Sequence, residues 1–385
     1  MPTQKKRIAI NFGGGYVPGL NSVIAAAARA AAELGWETVG ICDGFDSLLF
    51  PERYPDGAFL DLASLAPMSL DYSNGCILGT AAASDPFHVR AISPENIVEE
   101  VDRSDDLLRA LSDEGIDAVI SVAGSRALSI LHKLSRKGLT TVCIPKSIEN
   151  DIAATSLSFG FNSALSFLAE MLERARHAAR SARRIGVVEV PGEFAGWLAL
   201  QSGMAVCADA VLIPEIPYDL KKVAQKLKGK ADRGQGFGLV VVAEGAKPLK
   251  AQSGPPKTAD ASLRVSLSPG ATGEEGPHVI ERSGRAAAEV SRELTRLTDL
   301  PGYPLVLSEI ARGGVPTVVD RQLGLGYGAA AVRALKEGHS GVMVIFEPPD
   351  INFISLAEAI NKVRAVPSDS EFLRIVRALG ICLGD

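Results

Sequence analysis

The sequence predicts an α/β fold built from two Rossmann-like, three-layer α/β/α domains. Short aliphatic runs end repeatedly in glycine turns that lead into helical patterns, as parallel strands and their crossover helices do. Of the 385 residues, 46% are hydrophobic but only 5% aromatic, and 38 are glycine. This composition suits buried parallel sheet with tight turns, and the length is enough for two domains.

Strands and helices alternate through the first half of the chain. The apolar run Arg7–Phe12 leads into Gly13-Gly14-Gly15 and an alanine-rich helix over about 21–34. The elements expected next are a strand over 38–41, a helix over 94–114 on a helical apolar period, a strand over 117–122, a helix over 126–136 and a strand over 140–144.

A second α/β series begins near Phe161 with a long helix to about Ser181. Residues 247–276 change character, because Pro, Gly, Ser and charged residues replace the apolar periodicity, and they predict a mobile insert. The remaining elements expected here are strands over 184–190, 208–213, 239–244 and 305–307, and a helix over 285–297.

Charge and cysteine usage exclude several classes of function. The formal net charge of −5 leaves no basic footprint for nucleic acid. Five scattered cysteines without a CxxC pair argue against a disulfide framework or a zinc site and favour a cytoplasmic location. No run of about 18 apolar residues predicts a membrane span, and the chain opens directly on a strand pattern rather than a signal peptide.

Ligands of doubly wound folds bind beyond the carboxyl ends of the strands. This rule directs attention to a set of turns whose glycines and charged residues could form one site. The turns are 13–19, 123–126, 145–151, 190–193, 244–245 and 308–314.

Six segments in the same order resemble the phosphofructokinase family, the ATP- or pyrophosphate-dependent 6-phosphofructokinases of the PfkA type. GGGYVPGLN at 13–21 is similar to the family's GGDAPGMN, and PKSIENDI at 145–152 to its PKTIDNDI. The others are VVEVPGEFAGWLAL at 187–200, Pro214-Glu215, VVVAEG at 240–245 and ARGGVPTVVDR at 311–321.

The resemblance implies the phosphofructokinase fold, with a cleft between two domains. We expect residues 1–160 with about 312–360 to form the donor-side domain, and 161–311 with about 361–385 the acceptor-side domain. The resemblance also implies a small-molecule ligand, and a homodimer or homotetramer in which Arg184 is lent across a subunit interface. Neither a nucleic acid nor a membrane is an expected partner.

On the donor side, the resemblance assigns anion binding to the glycine turn and the start of the following helix. The family aspartate that helps to hold magnesium is Ser125 here, and its donor-phosphate arginine is Ala82. The family implies Mg²⁺ with pyrophosphate or ATP as the donor. The two departures argue against this donor, and no metal ligand is assigned. The expected donor or anion-binding residues are Gly14, Gly15, Gly124, Ser125 and Arg126.

The catalytic segment keeps its carboxylates. Glu149 matches the position of the family's general base toward the sugar hydroxyl, Asp151 matches the second acidic position, and Lys146 matches the PK of the pyrophosphate-dependent branch. These three residues are the expected catalytic group. An equally open interpretation is that this segment forms a turn that serves packing between the domains rather than catalysis.

The acceptor side departs further from the family pattern. Glu193 replaces an arginine, Glu309 a histidine and Tyr303 another arginine. Two like charges at 4 Å repel by about 4 kcal/mol at an effective dielectric constant near 20, so a 6-phosphate in the family's pose is disfavoured. The expected acceptor-binding residues are Arg184, Gly192, Glu193, Glu244, Glu309 and Arg312.

Three functions are compatible with these residues. The preferred hypothesis is a repurposed transferase that acts on a small, sugar-like hydroxylated acceptor other than fructose 6-phosphate, with Glu149 and Asp151 as an acid–base pair. The alternative is a catalytically silent homologue that acts as a ligand sensor or partner subunit. A genuine 6-phosphofructokinase using ATP or pyrophosphate is placed third.

Overall fold

The computed structural model describes residues 5–63, 75–80, 85–92, 98–249 and 284–385. Ala82 and residues 250–276 of the expected insert lie outside the described residues, so both assignments stay predictions. Within the described ranges the strands are β1 (Arg7–Gly13), β2 (Glu37–Ile41), β3 (Phe59–Asp61), β4 (Val89–Ile92), β5 (Val98–Val101), β6 (Ala118–Ala123), β7 (Thr141–Ser147), β8 (Phe159–Gly160), β9 (Ile185–Val190), β10 (Ala210–Leu212), β11 (Gly238–Ala243), β12 (Gly302–Val306), β13 (Val342–Glu347) and β14 (Asp350–Ser355).

Helices connect most of these strands and cover the sheets. They are α1 (Leu20–Ala32), α2 (Asp46–Leu49), α3 (Ser104–Asp113), α4 (Ser125–Arg136), α5 (Phe161–Ser181), α6 (Trp197–Ala205), α7 (Leu220–Ala231), α8 (Arg285–Thr298), α9 (Val318–Lys336), α10 (Leu356–Ala359) and α11 (Glu371–Ala378). Among the described residues, no helix combines the length and apolar character needed to cross a membrane.

Two separate sheets organise the chain. The first has the order β14-β13-β7-β6-β1-β2-β3, with β8 also paired to β7; it is parallel except for the antiparallel edges β3 and β14. The second has the order β10-β11-β9-β12 and is parallel throughout. Parallel strands are buried on both faces, which explains why they read as short unbroken aliphatic runs.

One continuous apolar core fills the space between the sheets. It joins Ile10 and Phe12 of β1 to Val188 of β9 through residues of α1, α5, α6 and α9. Smaller cores lie on the outer faces, under α3 and α4 on the first sheet and under α7 and α8 on the second. The predicted α/β/α layering is therefore confirmed.

The close approach of α1 and α9 requires a glycine. A Cβ atom on Gly328 would lie 2.6 Å from the carbonyl oxygen of Val23, closer than real Cβ contacts come. Close packing of these helices lets α9 carry the chain from the second sheet back against the first.

The bounds of several predicted elements differ from the structure. The helix expected over 94–114 begins only at Ser104; β5 precedes it and pairs antiparallel with β4. Residues 98–101 therefore form a strand rather than part of the expected helix. Strand β7 also continues three residues past the predicted end at Ile144 and so includes Lys146.

Candidate functional site

The candidate site lies where the carboxyl ends of strands from both sheets face each other. The turn after β1, the end of β7 and the start of α4 form one wall, which belongs to the first sheet. The turns after β9 and β11 form the other wall, and a 3₁₀ turn over Glu309–Arg312 lies between them. An open cavity of about 370 Å³ at this place is lined by Tyr16, Gly75, Gly313 and Gly314.

Lys146 lies at the floor of the donor wall. Its side chain is 3% exposed, and its ammonium group donates a hydrogen bond to the carbonyl oxygen of Gly15. Burial and the nearby charge of Arg312 lower the pKa of Lys146 to about 7. The glycine turn packs directly on this cation, since a Cβ on Gly14 would lie 3.9 Å from its Nζ atom. The residues that the sequence assigned to anion binding therefore surround a buried lysine.

The segment after β7 is held in a tight turn by its own side chains. Ser147 Oγ donates to Asp151 Oδ1 at 2.5 Å and accepts the Glu149 N–H at 3.1 Å. Asn150 has a left-handed backbone, with φ of 54°, and its side-chain oxygen accepts the Ser158 N–H at 2.9 Å. These contacts fix the backbone of Glu149 and the carboxylate of Asp151 relative to the strand that carries Lys146.

The environment of Glu149 disfavours its charge. The side chain is 17% exposed, and burial, followed by the charges of Asp151 and Glu244, raises its pKa to about 7. Arg312, whose Nη2 atom lies 3.9 Å from Glu149 Oε1, opposes this shift. A carboxylate that titrates near neutrality has the acidity expected of a general base.

The acceptor wall is formed by the turn after β9 and the end of β11. Glu193 N–H donates to Glu149 Oε2 at 3.3 Å, so this turn contacts the base directly. The turn after β11 packs against Glu193 at Gly245. Only glycine fits there, since a Cβ would lie 2.0 Å from the carbonyl oxygen of Glu193. Burial raises the pKa of Glu244, while the N–H of Gly192 opposes the shift.

Each carboxylate that was expected to repel a phosphate faces an arginine. Arg126 Nη2, on α4, lies 3.7 Å from Glu193 Oε2 across the cleft. Arg312 Nε lies 3.4 Å from Glu309 Oε2 on the same 3₁₀ turn. The repulsion of about 4 kcal/mol between a substrate phosphate and a carboxylate applies when the carboxylate has no partner. Here the neighbouring arginines offset it.

The start of α4 offers a hydroxyl and backbone donors. Ser125 Oγ donates to Asp151 Oδ2 at 3.4 Å, and Gly124 is the N-cap residue without a side-chain cap. In the parts of the chain that the structure describes, no three His, Cys, Asp or Glu residues gather as metal ligands.

Arg184 is not part of this cleft within one chain. It precedes β9, whereas Gly192 and Glu193 follow it, so they lie at opposite ends of this strand. There its guanidinium stacks 3.8 Å from the ring centroid of Tyr303, and its buried Nε atom makes no hydrogen bond to the residues that the structure describes. Arg184 could contact a ligand of this type of site only in a neighbouring subunit, which stays a prediction.

Sequence reasoning missed two residues that support the catalytic turn. Ser147 organises it from within, and Arg364 braces it from the C-terminal segment. Arg364 N–H donates to the Asp151 carbonyl at 2.8 Å, and its guanidinium lies 4.4 Å from the ring centroid of Trp197. The pattern around Arg364 contains no signal for this, because the contact depends on where the C-terminal segment folds.

The fold is similar to solved phosphofructokinases. Pyrophosphate-dependent phosphofructokinase from Nitrosospira multiformis superposes with a TM-score of 0.74 at 18% identity, over 99% of this chain and 93% of that one. Phosphofructokinase from Saccharomyces cerevisiae gives a TM-score of 0.70 at 24% identity, over 92% of this chain and 45% of the yeast chain. At these identities the likeness establishes the fold alone.

Closer relatives bear on function. ATP-dependent 6-phosphofructokinase from Chloroflexus aggregans is 34% identical over 386 residues, covering 100% of this chain and 99% of the relative. ATP-dependent 6-phosphofructokinase 2 from Clostridium perfringens is 34% identical over 99% of both chains. The hypothesis of a transferase for an acceptor other than fructose 6-phosphate is therefore wrong, and these relatives also argue against a silent homologue.

The family model for phosphofructokinase matches residues 7–335, which include every residue of the cleft described above except the brace at Arg364. With full-length relatives at 34% identity and the same fold, this chain belongs to the phosphofructokinase family.

Proposed function

We propose that this protein is an ATP-dependent 6-phosphofructokinase, which transfers the terminal phosphoryl group of ATP to a hydroxyl of fructose 6-phosphate. The observation that carries the proposal is the pairing of Glu149 with Arg312 above the buried Lys146. A base of near-neutral pKa and two cations in one cleft match what phosphoryl transfer requires. The names of the full-length relatives supply the donor and the acceptor.

Glu149 acts as the general base. Its carboxylate takes the proton of the acceptor hydroxyl as the oxygen–phosphorus bond forms. The bond between the terminal phosphorus of ATP and its bridging oxygen breaks, and ADP leaves. Catalysis of this kind is largely positioning and electrostatic stabilisation, which is the role of the Ser147-braced turn and of Arg312.

The cations stabilise the charge on the transferring group. Lys146 and Arg312 lie close enough for the charge of Arg312 to lower the pKa of the lysine. The glycine turn at Gly14 and Gly15 and the start of α4 at Gly124 and Ser125 offer backbone N–H groups to the donor phosphates. No step is assigned to a resident metal; magnesium would enter with the donor, because Mg²⁺ readily coordinates substrate phosphates.

We also propose that two copies of the chain complete each acceptor site. Arg184 and Tyr303 lie at the amino ends of β9 and β12, where they could contact a neighbouring subunit. The donor-side and acceptor-side domains proposed from the sequence would then each contribute one wall of the cleft.

The test is a coupled assay of the purified protein with Mg²⁺ and fructose 6-phosphate, using ATP in one arm and inorganic pyrophosphate in the other. We expect sugar bisphosphate to form in the ATP arm. Product in the pyrophosphate arm alone would reassign the donor, and Lys146 would then be its first candidate ligand. No product in either arm would refute the proposal.

A further inference from the structure

Arg126 and Glu193 form an ion pair that spans the candidate cleft. Arg126 belongs to α4 on the first sheet, and Glu193 follows β9 of the second. Their closest nitrogen and oxygen atoms lie 3.7 Å apart, with side chains 85% and 39% exposed. So exposed a pair contributes little to folding.

Glu193 would otherwise add one more negative charge to a cleft that already holds Glu149 and Glu244. Its N–H contacts the Glu149 carboxylate, and its own charge helps to raise the pKa of Glu244. Both substrates of the proposed reaction carry phosphate groups. An uncompensated carboxylate beside the base would repel them at the point where the two must meet.

The resemblance indicates that a positive charge is missing from the acceptor wall, at Glu193, and present on the donor wall, at Arg126. In the family that this chain resembles, an arginine stands where this chain has Glu193, whereas here Arg126 supplies a positive charge from the opposite wall. The two residues face each other across the cleft. Together they return the local charge to neutral.

We propose that Arg126 is a specificity-determining residue, which neutralises Glu193 across the cleft and so admits phosphorylated substrates to Glu149. The inference rests on the proposed function. It assigns Arg126 a role through Glu193 rather than through direct contact with a phosphate. The cost of losing Arg126 must then depend on whether Glu193 is charged.

A double-mutant cycle tests this dependence. In the wild-type background, R126Q should raise KM for ATP and fructose 6-phosphate about tenfold, with a smaller change in kcat. In the E193Q background the same substitution should raise KM less than about twofold, because no charge remains to be compensated. The swap R126E/E193R should recover most of the affinity that R126E alone loses.

R136Q is the matched control, since Arg136 is exposed at the far end of the same helix. It should leave KM unchanged. An equal loss on R126Q in both backgrounds would overturn the proposal and identify Arg126 as a direct phosphate ligand. A fall in melting temperature that accounts for the loss, or a similar loss in R136Q, would overturn it in favour of a structural role.

Binding measurements separate this inference from the proposed function. If the wild-type protein transfers no phosphoryl group, the proposed function fails, but calorimetry with ATP and with pyrophosphate on the same variants still measures the coupling. Affinity that falls on R126Q only while Glu193 is present would support the ion-pair role. The absence of any binding to the wild-type protein would overturn it.

Discussion

The carboxylate of Glu149 and the guanidinium of Arg312 lie 3.9 Å apart, although one residue follows a strand of the first sheet and the other follows a strand of the second. The contact therefore depends on how the two sheets are placed. It brings a base whose charge is disfavoured by burial next to the cation that restores part of that charge.

Substitution of the base should abolish turnover without unfolding the protein. We expect E149Q to lower kcat by about 10²- to 10⁴-fold, the usual contribution of a general base. E149D should retain part of the activity, since it keeps a carboxylate. E173Q, on the exposed face of α5, is the control. Steady-state kinetics would exclude Glu149 as the base if E149Q kept more than a tenth of the wild-type kcat.

The same substitution should stabilise the protein at alkaline pH. Because the folded pKa of Glu149 is about 7 against an ordinary 4.5, stability falls as the pH rises from about 4.5 through 7. The full penalty, on the order of 3 kcal/mol, is present above pH 7. E149Q lacks it and should melt at a higher temperature than wild type at pH 8, with the difference narrowing toward pH 5. A lower melting temperature at pH 8 would contradict the buried charge.

The pH dependence of kcat/KM should be bell-shaped with a maximum near pH 7. Activity rises as Glu149 loses its proton and falls as Lys146 loses its own, since both pKa values lie near 7. R312Q should move the acid limb to higher pH, because Arg312 lowers the pKa of Glu149. If the acid limb reported the ionisation of a substrate phosphate instead of Glu149, its position would be the same in R312Q as in the wild-type protein.

Removal of the Ser147 hydroxyl should loosen the catalytic turn. S147A loses the bonds to Asp151 Oδ1 and from Glu149 N–H, and we expect kcat to fall about tenfold with a stability loss of about 1–2 kcal/mol. S147T keeps a hydroxyl and should restore most of kcat. If both variants behaved alike in kinetic and melting assays, the hydroxyl would not be the cause.

Subunit mixing tests the proposed role of Arg184. E149Q and R184Q should each be inactive alone, but their random mixture as dimers should recover about a quarter of wild-type activity, because half of the sites in each hybrid carry neither change. If Arg184 served its own chain, every hybrid site would carry one lesion. The activity of the mixture would then stay at the level of the separate variants.

The sequence predicted the elements that local patterns dictate. The long helix over 161–181 has the expected bounds, and the motif containing Lys146 and Glu149 lies beside Arg312 as the family order implied. Contacts between the two sheets were not predictable, because no periodicity relates Arg126 to Glu193. The sequence therefore predicts the wrong acceptor, because the sequence alone leaves Glu193 and Glu309 without partners, whereas the structure pairs each with an arginine.

The segment that bears Arg312 also determines how cleft geometry affects acidity. It leaves β12 of the second sheet and enters α9, which packs on the first. A placement of the two sheets that shortened the separation of Arg312 and Glu149 would strengthen the effect by which Arg312 lowers the pKa of Glu149, and one that lengthened it would weaken that effect. The acidity of the base is thus tied to the placement of the two sheets as well as to its own burial.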